Sequence, residues 1–318
     1  MKVRFWGTRG SLPVALTAHH IRGKLVAALQ GAAGLDLSDR ETVEAYVDHR
    51  LNFEVAGTFG GHSSCVQIEH GGPEHVVLDL GSGLRPLAGH FLGRFSAAAQ
   101  TYHMFLSHLH WDHIMGFPFF TPAYIPGNRI VIHSCHAEAE MALRRQQAPP
   151  SFPVGFDQLG ASISFEAHQA GQTYQIAGMA VRAHKQLHSG DSYGWRFEYE
   201  GKSIVYSTDS EHRVEDLAMR QAFADFFRGA DLVIFDAMYS LADAISIRAD
   251  WGHSSNIMGV ELCQLAQAKR LCLFHHEPAY DDAQIATVLI ETRRFEEITR
   301  EGAALEVTSA YDGLEINI

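Results

Sequence analysis

Four ligand-type side chains crowd into six residues, His108-Leu109-His110-Trp111-Asp112-His113. Neutral imidazole and carboxylate are the donors that borderline divalent cations prefer: zinc first, with manganese or iron also served. The run before them, Thr101–Ser107, is apolar and aromatic and reads as a short buried strand. Gly116 and Pro118 follow and bar a long uninterrupted helix. The donors therefore sit on the turn leaving a strand. In an extended turn His108 and His110, two apart, face one cation together, while Asp112 and His113 point elsewhere and suit a second. The bland alternative is a histidine-rich loop in a chain that has 20 histidines, and it leaves the crowding of donors behind a strand unexplained.

The totals bound what such a site could act on. The 318 residues carry a formal charge of −12 with no Lys/Arg cluster. Long nucleic acids are held by basic faces, so the balance argues against one as partner. A phosphate-bearing substrate would be drawn mainly by the cations, which favours a small one. Apolar residues make up 46% and charged residues 19%, a globular composition. No stretch reaches the ~18 apolar residues of a membrane span, and no membrane partner is expected. The opening Met-Lys-Val-Arg-Phe-Trp-Gly reads as a strand and lacks the apolar core of a signal peptide. Cys65, Cys135, Cys263 and Cys272 form no Cys-x-x-Cys pair and sit mostly among apolar neighbours. They read as reduced thiols, and a cytoplasmic location is expected.

The elements that position the donors follow in order. Residues 2–6 form a strand ending in Gly7-Thr-Arg-Gly10. From Ala18 to Gln30, Ile21, Leu25, Ala28 and Leu29 keep helical spacing until Gly31 and Gly34. Ser38-Asp-Arg-Glu41 has the form of a capping box opening a second helix. This helical insert, about residues 15–55, could be a lid, the contact of a homodimer or a packing appendage. Strands at 64–69 and 75–80 flank Gly71-Gly72, a hairpin, and Asp79 with Gly81 and Gly83 closes it in a tight turn. Read alone, Asp79 is an ordinary turn aspartate. Phe117, Phe119, Phe120, Tyr124 and Ile125 are expected mostly in the core, with a base-stacking pocket wall as the alternative. Then come a strand at Ile130–Ile132, a helix at Glu138–Gln147, and strands near 162–166, 179–186, 193–199 and 203–207. A helix at 214–227 precedes the strand Asp231–Asp236; a helix at Ser254–Ala268 precedes the strand Arg270–Phe274. A long helix, Asp281–Arg300, and two short strands close the chain. The fold class is α/β: two mixed β-sheets packed face to face and flanked by helices, an αββα sandwich spanning 1–318 as one domain.

His-x-His-x-Asp-His after an apolar strand resembles the signature of the metallo-β-lactamase-fold hydrolases. Asp79 in Leu78-Asp-Leu-Gly-Ser-Gly83, His188, Thr208-Asp209 and Phe274-His275 fall in the order and spacing of that family's further site residues. The resemblance runs from Met1 to the closing strands. It implies His108, His110 and His188 on one cation, Asp112, His113 and His275 on the other, and Asp209 bridging both. It places Asp79 beneath the site, orienting ligands. His276, adjacent to His275, would face the opposite side, and His184 is structural. His62 stands where relatives often carry Asn.

Gly252-His253-Ser254-Ser255, followed by a helix and the His275 strand, resembles the branch holding tRNA 3′-processing endonucleases and cyclic phosphodiesterases. There the histidine acts on the scissile phosphate, and Asp236 in Phe-Asp-Ala-Met-Tyr239 matches the acid that orients it. The alternative for His253 is a place beside a helix cap at Ser254. The catalytic residues implied are thus Asp112, His253 and Asp236. Two ions about 3.5–4 Å apart can generate hydroxide from a shared water and clamp phosphoryl oxygens. The expected function is a dinuclear phosphodiesterase for a small nucleotide, cyclic phosphate or short oligonucleotide. An RNA endonuclease is the nearest alternative, but Glu277-Pro278 replaces its Ser-Arg-Tyr type sequence and no Gly/Pro-rich RNA-binding arm is present. A lactone or thioester hydrolase stands further off, and a non-catalytic metal-binding sensory domain is the alternative class.

Overall fold

A computed structural model describes residues 1–95, 99–212, 216–239 and 252–318. Its strands form two seven-stranded sheets. The first runs through β14 (Glu315–Asn317), β1 (Lys2–Gly7), β2 (Cys65–Glu69), β3 (His75–Leu78), β4 (Thr101–Phe105), β5 (Arg129–Ser134) and β6 (Ser162–Ala167). The second runs through β13 (Glu306–Ser309), β12 (Arg270–Phe274), β11 (Leu232–Asp236), β10 (Lys202–Ser207), β9 (Ser192–Tyr199), β8 (Met179–Gln186) and β7 (Thr173–Ile176). Pairing is antiparallel from β14 to β3 and parallel from β3 to β6. The second sheet repeats this, antiparallel from β7 to β10 and parallel from β10 to β13. This is the αββα sandwich of two mixed sheets expected from the sequence.

Parallel strands are covered on both faces, so their sequences are continuously apolar. Ile130-Val131-Ile132 and Leu232-Val233-Ile234-Phe235 are fully buried for this reason. Phe5, Val66, Leu78 and Phe105 of the first sheet meet Val181, Trp195, Phe197, Tyr206 and Phe274 of the second. Helices cover the outer faces: α4 (Leu84–Phe95) and α6 (Ala139–Gln146) on the first, α7 (Leu217–Phe227), α8 (Asn256–Leu265) and α9 (Asp282–Thr299) on the second.

Several elements differ from the sequence expectations. Helix α4 was not expected, because Pro86, Gly89 and Gly93 disguise it. Pro86 falls in the first turn, where its missing N–H has no intrahelical role, and Leu84, Leu87, Ala88 and Phe91 form a buried stripe. Asp112 and His113 lie not on an extended turn but on α5 (Trp111–Ile114), a single helical turn. The insert holds three helices: α1 (Ala18–Gly31), α2 (Arg40–Arg50) and α3 (Phe53–Ala56). Asp39, not Ser38, caps α2 by accepting from Thr42 N at 2.9 Å. Ser255, not Ser254, caps α8. The first turn expected at 214–216 falls partly on residues 213–215, outside the described residues, and α7 begins at Leu217. In α1 the apolar stripe Ile21, Leu25 and Leu29 is 44–68% exposed, so it faces solvent rather than the sheets. No helix among the described residues is long and apolar enough to cross a membrane.

The insert is fastened through one polar junction. Lys24 Nζ donates to the carbonyls of Glu54 and Gly57 and lies 2.6 Å from Asp282 Oδ2 at the head of α9. Asp282 Oδ1 accepts from Phe59 N at 2.8 Å and Thr58 Oγ1 at 3.0 Å. Lys24→Ala leaves this buried carboxylate without its cation and should cost about 1–3 kcal/mol. Hydrogen exchange in the insert should quicken, with metal content unchanged. An unaltered exchange pattern would mean that apolar contacts alone hold the insert.

Candidate metal centre

The site gathers at the carboxyl ends of the parallel strands. β3 delivers Asp79, β4 leads into Ser107 and His108, β10 into Thr208 and Asp209, β11 ends in Asp236, and β12 leads into His275. Three of these strand-end residues adopt left-handed backbone: Asp79 at φ 56°, Asp209 at φ 39° and His275 at φ 61°. Asp and His tolerate this region better than most side chains, and such strain collects at functional sites.

Two donor groups result. His108, His110 and His188 bring ligand atoms within 4.8 Å of one another, and so do Asp112, His113, Asp209 and His275. His110 Nδ1 and His188 Nε2 stand 3.2 Å apart, and His113 Nε2 and His275 Nε2 3.3 Å apart. A tetrahedron of ~2.0–2.1 Å metal–nitrogen bonds has edges of about 3.3 Å. Asp209 lies between the groups. Its Oδ1 is 3.2 Å from both His113 Nε2 and His275 Nε2, and its Oδ2 is 3.6 Å from His108 Nε2 and 3.7 Å from His188 Nε2. Asp112 Oδ2 is 3.1 Å from His113 Nε2 and is steadied by Ser11 N at 2.8 Å.

The buried His108 Nε2 has no hydrogen-bond partner among the described residues. An orphaned buried acceptor aimed at a carboxylate is what a cation would satisfy. Electrostatics agree. Burial, then neighbouring His113, hold His108 well below the ordinary imidazole range, so it is a neutral donor. Burial also opposes charge on His113, but the carboxylates of Asp112, Asp209 and Asp79 overcome it and raise that imidazole well above its usual range. The same negative potential would favour a divalent cation, whose binding would require the deprotonated imidazole. The residues present fit a two-cation site.

Outer partners fix the ring orientations. Asp79 Oδ2 accepts from His113 Nδ1, Ser107 Oγ and Tyr206 OH, each at 2.7 Å, which leaves His113 Nε2 facing the site. His188 Nδ1 donates to the Gly252 carbonyl at 2.7 Å. A Cβ at Gly252 would fall 2.6 Å from that same ring nitrogen, and φ is +82° there. Gly10 likewise must lack a Cβ, which would lie 2.6 Å from the His275 ring. Ser107, Tyr206, Gly10 and Gly252 carried no sequence expectation. For Tyr206 the available signal was a phenol buried two residues before the Thr208-Asp209 pair.

His253 sits beside the donors with its Nδ1 2.9 Å from Asp236 Oδ2. Burial disfavours its charge, yet Asp236 outweighs that and pushes it up to about 9. Asp236 is itself held by Ser210 N at 3.2 Å and Met238 N at 3.1 Å. The His253 ring stacks on His275 at 5.1 Å. Elsewhere, His276 turns away and donates to the Ala310 carbonyl at 2.8 Å, and His184 packs on Phe223 and Phe226. The aromatic stretch divides. Phe117 and Phe120 enter the core, while Phe119 and Tyr124 line a cavity of about 520 Å³ with His62 and Arg85.

A protein family's model, that of the beta-lactamase superfamily domain, matches residues 78–276. The chain belongs to this superfamily, a family of hydrolases that carry divalent metal ions. Over 82 residues it is 33% identical to ribonuclease Z of Brevibacillus brevis, a match spanning 26% of this chain and 23% of that protein. The metallo-β-lactamase fold protein YhfI from Bacillus subtilis superposes with a TM-score of 0.63 at 17% identity, covering 99% of this chain and 98% of the other. Human tRNase Z, short form, gives 0.61 at 19% identity over 100% and 99%. A diphosphatase from the PhnP family gives 0.60 at 17% identity over 100% and 97%. At these identities the superpositions establish the fold.

Proposed function

We propose that the protein is a dinuclear metal-dependent phosphodiesterase acting on a small nucleotide, cyclic phosphate or short oligonucleotide. The observation that carries this reading is the His253–Asp236 pair, 2.9 Å apart and set against two donor groups that share Asp209. His108, His110 and His188 would hold one cation, Asp112, His113 and His275 the other, and Asp209 both. Zinc is proposed from the imidazole-rich donor set, with manganese and iron as alternatives. Bound there, two ions supply Lewis acidity and an activated water for in-line attack at phosphorus.

The chain's own groups supply the rest. Asp79 and the Gly252 carbonyl hold His113 and His188 in the tautomers that leave Nε2 as donor. Asp236 accepts the Nδ1 proton of His253, so Nε2 is the nitrogen that donates to a phosphoryl oxygen or to the departing alkoxide. Phe119, 54% exposed, offers a face to a base, and Arg85 a charge to a second phosphate or sugar edge. The unpaired thiols suit a reducing cytoplasm. Hydrolysis of bis-p-nitrophenyl phosphate by the metal-loaded protein, then a screen of cyclic nucleotides and short RNAs, tests the reading. A loaded protein inert on every diester would instead support a metal-binding sensory domain.

The ribonuclease Z match favours a second reading, RNA 3′-end cleavage, and salt separates the two. With a charge of −12 and no basic arm, turnover of small diesters should change by less than about twofold between 50 and 200 mM salt. An enzyme neutralising six to ten RNA phosphates would lose orders of magnitude in affinity over that range. Tight, steeply salt-dependent binding of a precursor tRNA would overturn the small-substrate choice.

A further inference from the structure

A second cluster of histidines lies toward the β6 edge of the first sheet. His103 on β4, His133 on β5, and Glu166 and His168 at the end of β6 share the face of the first sheet that looks toward the second. His133 stands directly opposite Glu166 in the register, and Phe105 opposite His133. Their surroundings are apolar: His133 stacks on Phe105 at 4.5 Å, and His168 meets Tyr174 and Trp195 edge-on at 4.4 and 5.8 Å. An inter-sheet face normally carries Val, Ile or Phe at such positions. Three imidazoles in a row therefore need a reason beyond filling space.

The ligand atoms of His133, Glu166 and His168 all lie within 4.8 Å of one another. His133 Nδ1 is 2.9 Å from His168 Nε2 and 3.6 Å from Glu166 Oε2. Opening the nitrogen pair by a few tenths of an ångström gives the edge of about 3.3 Å that ~2.0–2.1 Å bonds demand. The outer partners have the order that ligating histidines use. His133 Nε2 is 2.9 Å from His103 Nδ1, and His103 Nε2 is 3.3 Å from Glu74 Oε2. With Nδ1 of His133 as donor atom, its Nε2–H points to His103 Nδ1, while His103 Nε2 lies near the Glu74 carboxylate without hydrogen-bonding to it. The far nitrogen of His168, Nδ1, is buried with no hydrogen-bond partner among the described residues, so its ring is held through the nitrogen that faces His133. Burial pushes His133 down to about 2 and lowers His168, so both present neutral imidazoles. Glu166 is half exposed, so a fourth coordination position would be open to water.

We infer that His133, Glu166 and His168 form a third, peripheral site for a divalent transition cation of the zinc type. Its ligands share no residue with the two-cation centre and come from strands at the opposite edge of the first sheet from β1. The site clips β5 to β6, whose outer edge pairs with no other strand among the described residues, so its first effect is on stability rather than turnover.

Zinc titration of chelator-stripped protein against a chromophoric chelator tests the inference. The wild type should take up one more ion per chain than either Glu166→Ala, a surface change that leaves the core intact, or His168→Phe, which keeps ring volume. His103→Ala should retain the ion with affinity lower by about 10–100-fold, the usual worth of an outer partner. Diesterase rates of the loaded Glu166→Ala and His168→Phe variants should stay within about twofold of wild type. An Asp209→Ala background makes the result independent of the main centre: it should keep one ion, which Asp209→Ala/His168→Phe loses. Equal zinc uptake by wild type, Glu166→Ala and His168→Phe would overturn the proposal and leave a hydrogen-bonded histidine stack.

Discussion

Asp209→Ala should abolish diester hydrolysis and release both cations of the main centre. Its two carboxylate oxygens face different donor groups, Oδ1 toward His113 and His275 and Oδ2 toward His108 and His188. Removing it unties both sites at once, whereas a change at His188 would touch one. The expected fall in kcat is at least about 10³-fold, since each lost electrostatic contact to a developing charge is worth 10²–10³. Because Asp209 sits at φ 39°, alanine also strains the backbone there. Asp209→Asn keeps the shape and the tolerance of that conformation, and should lose metal and turnover while melting near the wild type. Metal analysis after gel filtration, with kcat on the same samples, reads the result. An Asp209→Asn protein holding both ions at full turnover would make the residue structural.

His253→Ala should behave oppositely, keeping both ions and the fold while kcat falls by on the order of 10²–10⁴, the range for a general acid. Its Nδ1 is committed to Asp236 and it stacks against His275 without being needed to complete either donor group. The loss should shrink for diesters with a p-nitrophenolate leaving group, which departs without a proton. Asp236→Asn should follow the same pattern more weakly, because it acts through the orientation of His253. His184→Ala, packed against Phe226, should leave kcat alone. A His253 variant fully active on a diester with a poor leaving group would make the residue a neighbour of the Ser255 cap and nothing more.

The order of strands and donors was legible because parallel strands must be apolar throughout. The buried runs of β3, β4, β10, β11 and β12 end abruptly in polar residues, and those endings make up the candidate site. What was obscured lay where local chemistry and tertiary packing disagree. Pro86, Gly89 and Gly93 hide α4 from any helical reading, yet four apolar residues on one stripe bury it. The one-turn helix α5 is too short for periodicity to register, so Asp112 and His113 read as extended. Gly10 is required because the His275 ring approaches it from the far end of the chain, and Gly252 because of its φ of +82° and the His188 ring, 64 residues away in sequence. The stripe of α1 has clear helical spacing but faces solvent, since spacing reports a helix and not what covers it. The histidine row across β4, β5 and β6 joins residues 103, 133, 166 and 168 through strand register, which nothing local encodes.

Whether two bound cations drive phosphodiester hydrolysis is decided by the phosphodiesterase rate of chelator-stripped protein as zinc, manganese or iron is added back. The stripped protein should show only background turnover of bis-p-nitrophenyl phosphate, with recovery that saturates only when two ions occupy the centre built on Asp209. Full turnover in the stripped protein, or a fully reloaded protein that cleaves no phosphodiester, would contradict that role for the cations.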